Sequence, residues 1–297
     1  MARTNFNEIR ITTRDGLKLY ARHYPAAGSR LNPALCLPGL TRNSRDFHAL
    51  ATALSDPGSG APRAVYTLDF RGRGLSDRDG EPKNYAVPVE AEDVIEVVAA
   101  LGIAGAGIIG TSRGGLVAMV LAAMKPEILG PVVLNDIGPV LESTGLERIA
   151  GYVGKASMPG ARPNTWAEAA ATVKAIDQQQ FPDISDAGWE AIARQRFNEA
   201  DGRPVPGYDG AIGRSITLPE GPLPTLWPQF DAMSAIPVMV VRGALTDLLS
   251  EETVAEMGRR HPGLAVTSVA GQGHAPLLED ASTISAISRF LSLADKP

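Results

Sequence analysis

The chain has 297 residues, of which 44% are apolar and 21% charged, a composition typical of a globular protein with a filled core. Its 28 basic and 33 acidic residues give a net charge of −5, and neither sign forms a long block, so no nucleic-acid partner is expected. The single cysteine excludes a disulfide framework. The N-terminus is polar and has no signal-peptide pattern, and no long apolar run occurs, so we predict a cytoplasmic protein with no membrane partner.

Residues 8–24 are typical of a β-hairpin, because their apolar positions alternate around an Asp-Gly turn at 15–16. The pattern then changes to short apolar runs, as expected for strands buried on both faces of a parallel sheet. These runs are 34–37, 64–68, 107–110, 131–134, 237–241 and 264–269. Amphipathic segments that predict helices are 46–54, 89–101, 114–124, 251–260 and 282–293. The alternation predicts an α/β doubly wound sheet.

One interval, residues 138–235, lacks a comparable apolar strand and is rich in Pro and Gly. Helical patterns at 165–180 and 187–199 each have an N-cap residue at or near their start. We interpret 138–235 as a helical lid inserted into a core formed by residues 1–137 and 236–297. All three tryptophans lie in the interval, and the simplest expectation is that they fill its own small core rather than face a substrate cleft.

Residues 110–114, Gly-Thr-Ser-Arg-Gly, match the G-x-S-x-G pattern of a nucleophile elbow. The context fits as well, because a buried strand precedes the pattern and an apolar helix follows it. Ser112 is therefore the predicted nucleophile. An overlapping G-x-G-x-x-G at 105–110 follows a helical segment instead of a strand, so no dinucleotide cofactor is expected.

A serine hydroxyl needs a neighbouring base. Of the four histidines, only His274 lies in a Gly-containing loop after the last predicted strand, where it can reach the carboxyl edge of the sheet. We therefore predict His274 as the general base. His23, His48 and His261 are expected to be solvated or to pack against helices.

Two aspartates follow strands between Ser112 and His274 and could orient the imidazole. Asp247 is the preferred candidate, from the chain order and strand-end position that this fold expects. Asp136 is its rival, and we expect it instead to cap a turn or pair with Arg113.

The oxyanion hole needs two backbone N–H donors. One is predicted at Arg113, which follows the nucleophile, and the other at Leu40, in the loop after the first parallel strand. The Arg113 side chain has two possible roles. It is expected to form a structural ion pair with Asp136, or else to bind a substrate carboxylate.

The sequence resembles the α/β-hydrolase superfamily, and within it the lid-bearing serine esterase and carbon–carbon-bond hydrolase branch. The resemblance rests on the segments 37–40 and 69–77, the Ser112 elbow, Asp247 and the Gly273–His274 pair. The resemblance implies a mostly parallel eight-stranded sheet with helices on both faces and a helical lid over its carboxyl edge. It implies that segment 69–77 is mainly structural. Serine at the elbow differs from the aspartate of the haloalkane dehalogenase and epoxide hydrolase members. Pro38 stands where the family often has His.

The implied reaction is hydrolysis of a small carboxylic ester or related acyl compound through an acyl-enzyme, with no metal or organic cofactor. A carbon–carbon-bond hydrolase of ring-cleavage products would use the same residues. The same fold also accommodates a cofactor-free oxygenase or a non-catalytic ligand-binding protein. Neither the small-molecule substrate nor the oligomeric state follows from the sequence, because fold does not fix chemistry.

Overall fold

The computed structural model describes residues 5–154, 162–215, 221 and 223–295. Up to the end of the sixth strand, its elements are β1 (Asn7–Thr12), β2 (Lys18–Tyr24), β3 (Ala34–Leu37), α1 (His48–Ser55), β4 (Val65–Leu68), α2 (Val87–Leu101), β5 (Ala106–Thr111), α3 (Arg113–Met124) and β6 (Leu129–Asn135). The remaining elements are α4 (Ser143–Tyr152), α5 (Trp166–Asp177), α6 (Asp186–Arg196), β7 (Asn198–Ala200), β8 (Arg203–Val205), α7 (Trp227–Asp231), β9 (Val238–Gly243), α8 (Glu251–Arg260), β10 (Ala265–Val269) and α9 (Ala281–Ala294).

Eight strands form one sheet in the order β1-β2-β4-β3-β5-β6-β9-β10. The pairs β1–β2 and β2–β4 are antiparallel, and all the others are parallel. Each apolar run of the sequence corresponds to one of these strands, with ends that differ by at most two residues. The predicted mostly parallel α/β sheet is therefore confirmed.

Successive residues of the central strands point to opposite faces of the sheet, as strand geometry requires. Ile108 of β5 belongs to the core that α2 and α3 cover, whereas Ile109 belongs to the core beneath α1 and α9. Both side chains are fully buried. The apolar run through β5 thus reflects two separate cores, one on each face.

Residues 138–235, which we call the insertion, leave the sheet after β6 and return at β9. They have a small core of their own around Trp189, which is 2% exposed and packs with side chains of α5 and α6. The insertion contacts the loop after β3, where Arg45 Nε donates to the Gln195 carbonyl at 2.7 Å.

The sequence missed α4 and the β7–β8 hairpin of the insertion. Helix α4 has only ten residues, two of them glycines that disfavour a helix, and the hairpin strands are three residues each and largely polar. The second predicted helix of the insertion ends at Arg196, three residues before its expected end. None of the helices in the described ranges is both long and apolar enough to cross a membrane.

Candidate active site

Ser112 lies between β5 and α3 with φ 50° and ψ −112°, a conformation that few non-glycine residues adopt. The glycines on either side make this tight turn possible. A Cβ on Gly114 would lie 2.1 Å from the Leu37 carbonyl oxygen, and one on Gly110 would lie 2.6 Å from backbone atoms of Gly114. The strand–turn–helix context predicted for Ser112 is therefore present.

His274 lies in the loop between β10 and α9, and its ring joins two of the candidate residues. Its Nε2 is 2.9 Å from Ser112 Oγ, and its Nδ1 is 2.9 Å from Asp136 Oδ2. The His274 side chain is 7% exposed and that of Asp136 is fully buried. A serine, an imidazole and a carboxylate hydrogen-bonded in this order can act as a nucleophile, a base and an orienting acid.

The choice of Asp247 over Asp136 as the partner of His274 is wrong. Asp247 forms a bidentate ion pair with Arg148 of α4, with N–O distances of 2.6 and 2.8 Å. Burial alone would raise the pKa of Asp247, but its hydrogen bond to Arg148 and the charge of that residue leave the pKa below its usual value.

Asp136 is brought to His274 by its place in the sheet. It directly follows β6, the strand beside β5, and has φ 55°. Its Oδ1 accepts the Gly243 N–H at 2.8 Å, and its Oδ2 also accepts the Thr246 hydroxyl, so the end of β9 and the loop after it hold the carboxylate in place. Asp247, four residues beyond the end of β9, turns towards the insertion instead.

Gln180 of the insertion also contacts the His274 loop, and nothing in the sequence singled it out. Its side-chain Oε1 accepts the His274 backbone N–H at 2.8 Å, and its carbonyl accepts the Gly273 N–H at 2.7 Å. The insertion therefore helps to fix the loop that carries His274. A polar residue at the end of a predicted helix is too common a pattern to have revealed this contact.

The two residues predicted to form the oxyanion hole both lie near Ser112. Arg113 is the first residue of α3, where backbone N–H groups have no acceptor within the helix. Leu40 lines the same cavity as Ser112, and the preceding Gly39 approaches so closely that a Cβ there would be 3.8 Å from the Ser112 Cβ.

The Arg113 side chain is paired, as expected, but with Glu90 rather than Asp136. Arg113 Nε lies 2.6 Å from Glu90 Oε2, and the fully buried Glu90 also contacts Arg73 at 2.8 Å. Arg73 Nε in turn donates to the Leu40 carbonyl at 2.8 Å. The expected Asp136 pair is wrong because that carboxylate is occupied by His274, while α2 brings Glu90 beside α3.

The cavity at Ser112 has a volume of about 90 Å³ and lies between the sheet edge and the insertion. Tyr152, Asp177 and Phe181 of the insertion line it together with Ser112. Asp177 is 5% exposed and is ion-paired with Arg196. No group of three His, Cys, Asp or Glu side chains suited to a metal ion occurs in the ranges that the structure describes.

Comparison with known proteins agrees with this fold. The model of the alpha/beta hydrolase family matches residues 34–286. A 3-hydroxybutyrate-oligomer hydrolase of Cupriavidus necator is 33% identical over 290 residues, which cover 92% of this chain and 94% of that protein. A 2-(acetamidomethylene)succinate hydrolase of Mesorhizobium japonicum is 27% identical over 241 residues, covering 80% of this chain and 79% of that protein.

Among solved structures, an alpha/beta hydrolase from Novosphingobium aromaticivorans is 37% identical, with a TM-score of 0.86. The similarity covers 97% of this chain and 99% of that chain. The match therefore includes the insertion as well as the sheet. The chain is thus an enzyme of the hydrolase class, and it belongs to the α/β-hydrolase family that the sequence resembled.

Proposed function

We propose that the protein hydrolyses small carboxylic esters through an acyl-enzyme formed on Ser112. The observation that carries the proposal is the continuous chain of two 2.9 Å hydrogen bonds from Ser112 through His274 to the buried Asp136. A base within hydrogen-bonding distance activates the serine, and a buried carboxylate holds the imidazole in the tautomer that can accept its proton.

In this mechanism, Ser112 Oγ forms a bond to the ester carbonyl carbon while His274 Nε2 takes the hydroxyl proton. Asp136 accepts a hydrogen bond from the His274 Nδ1–H and stabilises the imidazolium, while remaining ionised itself. The backbone N–H groups of Leu40 and Arg113 stabilise the negative charge on the carbonyl oxygen. The carbon–oxygen bond to the alcohol then breaks, and His274 donates its proton to the departing oxygen. A water molecule, deprotonated by His274, attacks the acyl-enzyme and releases the acid.

For the substrate class, we propose short oligoesters of a hydroxy acid. The Cupriavidus necator relative, named as acting on 3-hydroxybutyrate oligomers, matches over nearly the whole length of both chains. A cavity of about 90 Å³ has room for about six to nine water-sized groups, which suits a four-carbon hydroxyacyl unit. We also propose that the insertion serves as a lid that excludes water from this cavity.

The test combines covalent labelling with a substrate panel. A fluorophosphonate should label the wild-type protein and the control variant Ser268→Ala, which changes an exposed serine on β10, but not Ser112→Ala. The linear 3-hydroxybutyrate dimer should be cleaved to monomers by the first two proteins only. Labelling that persists in Ser112→Ala would contradict the mechanism. Faster turnover of ring-cleavage diketone acids than of any ester would favour the carbon–carbon-bond hydrolase instead.

A further inference from the structure

A second and larger chamber adjoins the catalytic cavity. It has a volume of about 430 Å³, within the range of small-molecule sites, and lies between the insertion and the loops of the core. Thr41, Tyr152 and Arg196 line both spaces, so the two are neighbours with a shared wall. An extended substrate whose ester group is at Ser112 would reach this chamber past these three residues.

The charges around the chamber are of one sign. Four arginines line it, namely Arg78, Arg148, Arg162 and Arg196, and none of the described lining residues is acidic. This concentration of positive charge occurs on a chain whose net charge is −5. Charged clefts with low-dielectric walls focus the electrostatic field and attract ligands of the opposite sign.

The four guanidinium groups differ in whether a neighbouring carboxylate already neutralises their charge. Arg148 is paired with Asp247, and Arg196 with Asp177. Arg78 and Arg162 are exposed, and neither has an ion-pair partner among the residues that the structure describes. The chamber therefore retains an excess of positive charge at its outer part.

The rest of the wall is largely apolar. Val173 and Ile176 of α5 face the chamber, together with Phe197 and Tyr208. Apolar walls with a few charged groups suit a ligand that has short hydrocarbon branches and one anionic group. A carboxylate matches the forked donors of arginine in geometry as well as in charge.

We propose that this chamber binds the carboxylate-bearing part of the substrate. The catalytic cavity would hold the hydroxyacyl unit that is transferred to Ser112, and the chamber would hold the departing portion, which ends in a free carboxylate. The enzyme is then selective for esters whose alcohol component is itself a hydroxy acid. This inference rests on the proposed function and adds to it the group that determines specificity.

The experiment compares the linear 3-hydroxybutyrate dimer with its methyl ester, which differs only in lacking the charge. Both are titrated into Ser112→Ala, so that binding is measured without turnover. The acid should bind more tightly than the methyl ester. Adding Arg78→Gln and Arg162→Gln should lower the affinity for the acid about tenfold, since each exposed charge contact contributes a factor of about three. The advantage of the acid, which is the ratio of its affinity to that of the methyl ester, should fall accordingly.

The control is Arg289→Gln, which removes an exposed arginine from α9, away from the chamber lining, and should leave the advantage unchanged. The advantage should also shrink at about 1 M salt, where the Debye length is about 3 Å. Equal affinity for acid and ester, or an equal loss for both in the Arg78/Arg162 variant, would overturn the inference.

Fluorophosphonate labelling of Ser112 distinguishes the two proposals. Labelling without acid selectivity refutes only the chamber, and selectivity without labelling refutes only the mechanism.

Discussion

Replacement of Asp136 by asparagine tests whether Asp136, rather than Asp247, orients His274. Asp136 Oδ1 accepts the Gly243 N–H, and its Oδ2 accepts from His274 Nδ1 and from the Thr246 hydroxyl. An asparagine keeps its Oδ1 towards Gly243, because the opposite orientation would place two N–H groups against each other. Its NH₂ group therefore faces His274.

That orientation requires His274 Nδ1 to accept a hydrogen bond from the asparagine NH₂ group, which leaves the ring hydrogen on Nε2. His274 then cannot take the proton of Ser112, although its position is unchanged. The corresponding loss in a serine protease is about 10⁴ in kcat, equivalent to about 5.5 kcal/mol of transition-state stabilisation. We expect a loss of this order for Asp136→Asn.

The assays are the rate of fluorophosphonate labelling and kcat for ester hydrolysis, with circular dichroism to establish that the variant is folded. Asp247→Asn is the matched control. It removes only a partly exposed ion pair with Arg148 and should cost about 1 kcal/mol of stability and less than about tenfold in kcat. A mild effect of Asp136→Asn together with a crippling effect of Asp247→Asn would refute the reasoning.

Four further predictions concern the framework of the protein. Glu90→Gln should lower the free energy of unfolding by about 3–5 kcal/mol in urea titrations and reduce kcat, because the largely buried guanidinium groups of Arg73 and Arg113 lose their shared counter-charge. An unchanged urea midpoint would contradict this. Gly114→Ala should not accumulate as folded protein, since its Cβ would lie 2.1 Å from a carbonyl oxygen. Gly258→Ala in α8, with no atom within 4 Å of the new Cβ, should raise the stability by about 1 kcal/mol in thermal unfolding. Burial raises the pKa of the Cys36 thiol, so iodoacetamide should modify it only after denaturation, and rapid modification of the native protein would show otherwise.

Several features of the protein follow from local sequence. Strands buried on both faces must be continuously apolar, and this alone locates β3, β5 and β6. The position of Ser112 is equally local, because only glycines tolerate the close approaches at 110 and 114 that its turn requires. His274 could be selected because a late loop at the sheet edge is a property of chain order.

Other features depend on which strands and helices become neighbours, which the sequence does not state. Asp136 and Asp247 both follow strands between Ser112 and His274, and only the adjacency of β6 to β5 decides between them. Glu90 became the partner of Arg113 because α2 packs beside α3. Gln180 and the arginine-lined chamber arise where the insertion folds back on the core. Such contacts join residues far apart in the chain, and their energies depend on distances that exist only in the folded protein.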